Sequence, residues 1–332
     1  MLIRKLICAT AILLIASAAT AQDGLKIYIS ADMEGVVGAV TGEQLGPGGF
    51  EYERFRGFMT AEVNAAIDAA RAAGATEFLV SDSHGNGQNI LIEKLPDDVM
   101  IVRSWPRELE MMEGIDESFD GVIFLGYHAS TNNTRGVRAH TLSSASITSL
   151  RLNGKTMTEG SINAAIAGHF GVPVIMVSGD DVAVAENQVI IGNIEGAVVK
   201  WANSFHSART LTPEAGYEVI RTRTMSAIDR IEEFEPYVLE TPIELELTTK
   251  RLSVDVAVRD HGPGIPSDAL GRVFERFYRG PQTAPTRGSG IGLSLVRHIA
   301  QAHGGRAWAR NAVEGGAVVG FSIPVATGRP AA

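Results

Sequence analysis

The chain has 332 residues, 45% hydrophobic and 20% charged, enough apolar material for one large domain or two ordinary ones with a sizeable core. Its formal charge is -9, from 29 basic and 38 acidic residues. Without a Lys/Arg cluster, that balance excludes nucleic acid or an anionic bilayer as the main partner, since both demand basic patches; a small or peptide substrate remains.

Arg4 and Lys5 precede an apolar run over 6–16, and Ala19-Thr20-Ala21 stand ahead of Gln22 as a small-x-small cleavage site. This is the order of a secretory signal. The run is shorter than the roughly 20 residues that span a bilayer. The expectation is an exported protein, periplasmic or secreted, with a signal peptide over 1–21 and no stable membrane anchor after cleavage. Cys8, the only cysteine, lies in that segment, so the mature chain has no disulfide and no thiolate ligand. Any metal must be held by His, Asp and Glu.

Residues 25–30, 77–81, 121–126 and 172–178 are short runs rich in Val, Ile, Leu and Phe, predicted as strands buried on both faces. Helices are predicted over 52–73, ending at Gly74, and over 161–170, ending at Gly171. A further strand is expected over 189–194. The alternation predicts an α/β domain with a mostly parallel sheet and flanking helices. After Glu235-Pro236 the texture changes to alternating strands over 242–247 and 252–258, which are placed either to pair with each other or to leave an open edge. Gly/Pro-rich loops, a helix over 293–302 and a hairpin over 307–325 follow.

Three predicted strands run into potential ligands: Asp32 and Glu34, then His84, then His128. In an open parallel sheet ligands bind beyond the carboxyl ends of the strands, so these groups should share one crevice. Asp32 and Glu34, at i and i+2 in an extended segment, point the same way. Glu159 precedes the helix expected from Ser161 and faces the crevice from its N-terminus. One such Asp or His is more often a cap or a hydrogen-bonded structural group. Successive strand ends carrying them point to a metal, with a nucleotide or sugar crevice as the competing use. Five ligands exceed one tetrahedral zinc and suit two ions bridged by a carboxylate. Asp180 and Asp181 are read as capping or supporting groups.

SADMEG (30–35), SDSHG (81–85), FLGYHA (124–129), GVRAHT (136–141), TEGSINA (158–164) and PVIMVSGDD (173–181) stand in the order and spacing of the DppA-type D-aminopeptidase family. The resemblance runs over about residues 25–250. It implies a zinc metallopeptidase with two Zn²⁺ per chain: Asp32 bridging, Glu34 and His84 on one ion, His128 and Glu159 on the other. His140 is implied as the catalytic histidine, although from its surroundings alone a loop histidine is usually just solvated. Short peptide substrates with an N-terminal D-residue and a ring-shaped homo-oligomer are also implied.

The C-terminal segment, about 251–326, resembles part of a sensor histidine-kinase ATPase, a partial α+β Bergerat-type fold, ahead of a short tail over 327–332. DHGPGI (260–265), FERFYR (274–279) and GSGIGL (288–293) resemble its G1, F and G2 boxes. The implied nucleotide contacts are Asp260, Gly262, Gly264, Gly288, Gly290 and Gly292. The N box that holds Mg²⁺ and the phosphoacceptor helices have no counterpart, so ATP binding and kinase activity are not expected. The reading is an exported metallo-aminopeptidase, residues 22–250, truncated at its C-terminus and joined to this partial segment. The alternatives are an ATP-binding signalling fragment and an inactive fusion of two incomplete domains.

Overall fold

The structure, a computed structural model, describes residues 24–250, 253–280, 289–313 and 315–324. The expected signal segment with Cys8, Gly288 and the 327–332 tail lie outside them. Leu25–Ala31 (β1), Ala75–Asp82 (β2), Met100–Val102 (β3), Gly121–Tyr127 (β4) and Val174–Asp180 (β7) are parallel strands, and β4 and β7 are buried along their whole length. Uninterrupted apolar sequence is what a strand covered on both faces requires. Glu195–Ser204 (β8) extends the sheet in parallel and Ser207–Thr210 (β9) closes it antiparallel, giving the order β3-β2-β1-β4-β7-β8-β9. Between β4 and β7 lie the short strands Ile147–Leu152 (β5) and Lys155–Thr156 (β6).

Tyr52–Ala72 (α1) buries Tyr52, Phe55, Met59, Val63, Ile67 and Ala70, spaced three or four apart, and packs on Pro213–Asp229 (α4). Glu159–His169 (α2) packs on Asp181–Ile191 (α3). α2 starts two residues earlier than its sequence suggests because Thr158 caps it, accepting from Ser161 N while the Ser161 hydroxyl accepts from Thr158 N. Of the strand expected over 189–194, residues 189–191 are instead the end of α3 and 192–194 a loop leading into β8. Asp180 caps that helix by accepting from Val182 N and Ala183 N, and the buried positions Ala183, Val184 and Asn187 have helical spacing. The capping role read for Asp180 is thus seen, and Asp181 Oδ1 accepts from Ala202 N at the neighbouring strand.

Leu245–Thr249 (β10) does not pair with the strand that follows it. It lies antiparallel on β5, in the order β10-β5-β6, and Ser253–Arg259 (β11) joins a second sheet. That sheet has the order β11-β13-β12, with β12 Arg306–Asn311 and β13 Ala317–Pro324, and Gly292–Ala302 (α5) packs on β12 and β13. Among the described residues no helix is long and apolar enough to cross a membrane.

Candidate metal centre

The chain leaves β1 for β2 and β3 on one side and returns to β4 on the other, so β1 and β4 flank the point where strand order reverses. A crevice opens there at the carboxyl ends. Parallel register puts Ala31 level with both Asp82 and Leu125, so Asp32, His84 and His128 emerge at one height. The two strand ends nearly touch: Asp32 N donates to Leu125 O (2.8 Å) and Gly35 N to Gly126 O (2.6 Å). A Cβ on Gly35 would lie 2.2 Å from Tyr127 O, and one on Gly126 2.1 Å from Asp32 O at a φ of +69°. Only glycine fits either place.

Asp32, Glu34, His84, His128 and Glu159 are all buried and lie side by side. Asp32 faces two ways. Its Oδ1 is 3.0 Å from His84 Nδ1 and its Oδ2 is 3.3 Å from His128 Nε2. Glu34 Oε2 is 2.9 Å from His84 Nδ1, and Glu159 Oε1 is 3.4 Å from His128 Nε2 and 3.5 Å from His140 Nε2. The His128 and His140 rings stack at 4.0 Å and 9°. Asp32, Glu34 and His128 form one set of ligand atoms close enough for a single ion, and His128, His140 and Glu159 another.

Backbone carbonyls aim each imidazole. His84 Nε2 bonds Leu45 O (2.6 Å), His128 Nδ1 bonds Ala129 O (3.0 Å) and His140 Nδ1 bonds Arg138 O (2.9 Å). Each bond occupies the outer nitrogen with a carbonyl acceptor and turns the other nitrogen toward the carboxylates, the orientation a metal-ligating imidazole needs. The loop between His128 and His140 is fastened to α3 by Glu186, which accepts from Ser130 N, Ser130 Oγ and Asn133 Nδ2.

Three buried carboxylates this close require positive charge among them. Burial and the Glu34 charge push the Asp32 carboxyl up to about 7. Burial also opposes ionisation of Glu34 and Glu159, but His84 beside the first and His128 beside the second hold both below the usual range. Burial resists a proton on His128; Glu159 and Asp32 outweigh it and raise the pKa to about 10. His84 is raised in the same way, its burial overcome by Glu34 and Asp32. His140 goes the other way, lowered by burial and by the charge on His128. A neutral imidazole therefore stands beside the ligand cluster.

The nucleotide-type residues are arranged otherwise. Asp260 follows β11 and is exposed, and its Oδ1 accepts from Gly262 N (2.8 Å) and Ala317 N (3.2 Å). Gly264 and Gly290 take φ of +80° and +68°, and Gly292 opens α5.

Comparison with known proteins follows this division. The D-aminopeptidase family signature matches residues 25–258. The chain is a member of the D-aminopeptidase family. Its peptidase part is 35% identical over 212 residues to the D-aminopeptidase of Bacillus subtilis (strain 168), covering 64% of this chain and 77% of that one. A solved structure of the Zn-dependent D-aminopeptidase DppA from Bacillus subtilis, described as a self-compartmentalizing protease, superposes with a TM-score of 0.67 at 33% identity, over 69% of this chain and 82% of that one. Residues 226–327 match the histidine kinase-, DNA gyrase B- and HSP90-like ATPase family. There the signal-transduction histidine kinase AfsQ2 of Streptomyces coelicolor is 41% identical over 92 residues, 27% of this chain and 17% of that kinase. The chain thus spans about a fifth of AfsQ2 and of the sensory kinase SasA, and 45% of the sensor histidine kinase component HK1 of Mycobacterium tuberculosis. The two matches overlap over 226–258, where α4 ends against α1 and β8, and β10 lies on β5. Physically the stretch through Thr249 belongs with the D-aminopeptidase part.

Proposed function

We propose that this D-aminopeptidase holds two zinc ions, with Asp32 bridging, Glu34 and His84 on one ion, and His128 and Glu159 on the other. The carrying observation is the two-way Asp32, each oxygen turned to a different imidazole. Asp32 Oδ2, Glu34 Oε2 and His128 Nε2 are buried atoms without a hydrogen-bond partner, as ligand atoms reserved for a cation would be. The donor set, imidazole and carboxylate without thiolate, fits zinc in a hydrolase. Zinc, when bound, supplies Lewis acidity at the scissile carbonyl and brings the pKa of water to about 7. His140, kept neutral beside the ligands, takes the proton from the attacking water and returns it to the leaving amine. The bonds that His84 and His128 donate to Leu45 O and Ala129 O keep both rings turned inward throughout.

The substrates of this reading are short peptides with an N-terminal D-residue, and the protein works outside the cytoplasm after loss of residues 1–21. A homo-oligomer accords with the self-compartmentalizing relative. Residues 22–250 form the peptidase unit and 251–326 a partial kinase-type segment that carries no phosphotransfer. Metal analysis of the purified mature chain should find about two zinc ions, with hydrolysis of D-alanyl peptides that a chelator abolishes. Folded protein without metal or hydrolysis would refute the reading. Micromolar ATP binding by calorimetry, lost in Asp260→Asn, would instead favour the signalling alternative.

A further inference from the structure

Lys200 stands on β8 between the apolar residues Ala197-Val198-Val199 and Trp201-Ala202, and its side chain is fully buried. Lysine is almost never enclosed in this way without a partner. Its partners are three backbone carbonyls, all from the loop that follows β1: Glu34 O (2.5 Å), Val36 O (3.0 Å) and Ala39 O (2.6 Å). An ammonium has three N–H bonds and no acceptor, so this cradle uses all of them. Four carboxylates act on it through space, Asp180 and Glu62 most strongly, then Glu34 and Asp32. Glu62 of α1 spends Oε1 on Val37 N in the same loop, and Asp180 spends Oδ1 capping α3; the second oxygen of each has no hydrogen-bond partner.

The loop held in this way carries Asp32 and Glu34. Its carbonyls at 34, 36 and 39 point inward at one spot, an arrangement of like dipoles that repel one another unless a cation sits among them. Remove the charge and two buried carbonyls of the loop, Glu34 O and Ala39 O, lose their donor, while Val36 O keeps only the bond from Ala39 N (3.0 Å). The cheapest relaxation is to turn them outward, which rotates the backbone of Glu34 and withdraws its carboxylate from His84. The chemistry resembles an alkali-cation site built of main-chain oxygens, with a tethered ammonium in place of the ion.

We propose that Lys200 is a positioning residue, a built-in cation whose ammonium sets the Asp32–Glu34 loop and thereby the metal affinity of the half of the centre held by Glu34 and His84. The inference rests on the two-zinc reading and deepens it; Lys200 itself touches neither metal nor substrate.

The test uses the full mature chain as wild type, Lys200→Met, which keeps volume and removes charge, and Lys200→Ala, which leaves room for a small cation. Zinc is titrated against a competing indicator, and hydrogen exchange of the metal-free proteins follows the amides of residues 34–39. Both variants should bind one zinc as wild type does and the second at least tenfold more weakly, with faster exchange confined to that loop. Millimolar methylammonium should restore the second zinc to Lys200→Ala and not to Lys200→Met. Two-zinc affinity within twofold of wild type in both variants, or a folded, zinc-depleted Lys200→Ala that methylammonium leaves unchanged, overturns the proposal. So does failure of both variants to fold with the amine present, which assigns Lys200 to stability alone. A wild type that takes up no zinc defeats the metal-centre reading instead, and the exchange data then decide whether Lys200 orders the loop.

Discussion

Replacing Gly35 with alanine probes the close approach on which the centre depends. The new Cβ would sit 2.2 Å from Tyr127 O and 2.4 Å from the Gly126 carbonyl carbon, both backbone atoms of β4 or its end. That is roughly 1 Å short of van der Waals contact, and no side-chain rotation relieves it. The end of β1 must therefore move from β4, stretching the bonds Gly35 N to Gly126 O and Asp32 N to Leu125 O. Two hydrogen bonds at about 1 kcal/mol each and an overpacking cost of about 1–3 kcal/mol give an expected loss of roughly 3–5 kcal/mol. The same shift opens the 3.3 Å gap between Asp32 and His128, and a displacement of about 1 Å at a reacting site costs on the order of 100-fold in rate. Urea unfolding read at constant slope gives the first quantity and hydrolysis of a D-alanyl peptide the second. Gly57→Ala, in the second turn of α1 where nothing lies within 4 Å, is the control and should stabilise by up to about 1 kcal/mol. A Gly35→Ala protein of wild-type stability and rate would show that these strand ends do not meet as described.

His140→Ala should keep both metal ions and lose about 10²–10⁴ in kcat; loss of one ion in metal analysis would make His140 a ligand instead. Asp32→Asn should weaken both ions, whereas Glu34→Gln and Glu159→Gln should each weaken one, a pattern native mass spectrometry separates. In the metal-free protein His128, raised to about 10, is protonated at pH 8, so zinc must displace that proton. Calorimetry at pH 8 in two buffers of different ionisation heat should show release of about one proton or more per chain; buffer-independent heats would contradict this. The folded pKa lies above the ordinary value of 6.5, so the His128 contribution to metal-free stability is complete below 6.5 and is lost as pH rises through 10. The unfolding midpoint of chelated protein should therefore fall between pH 7 and 10, and zinc-loaded protein should resist that fall.

The strands behind the centre were legible because burial on both faces leaves an unbroken apolar run, and their ends announced themselves where such runs met Asp32, His84 and His128. The error over 189–194 has the same origin. Val189, Ile190 and Ile191 read as strand by type, but their conformation is set by the Asp180 cap several residues upstream. The partner of β10 was hidden because an alternating strand does not say which edge it seeks, and β5 lies about 100 residues away. The carbonyls of Leu45, Ala129 and Arg138 that orient the imidazoles carry no residue-type signal, since every residue has one. Lys200 did leave a trace. A lysine inside an apolar strand is an anomaly that sequence shows, although the three oxygens that satisfy it appear only once the chain is folded.

The pairing of β10 with β5 also decides where the molecule tolerates a cut. β5 begins at Ile147, a few residues past the loop of His128 and His140, and Lys250 reaches back to the base of that loop, its N bonding Ser146 O and its Nζ bonding Ser144 O. A shortened gene that stops before Leu245 would strip the hairpin of its outer strand and leave the histidine loop without its anchor. A stop codon placed after Lys250 removes the kinase-type appendage and spares that anchor.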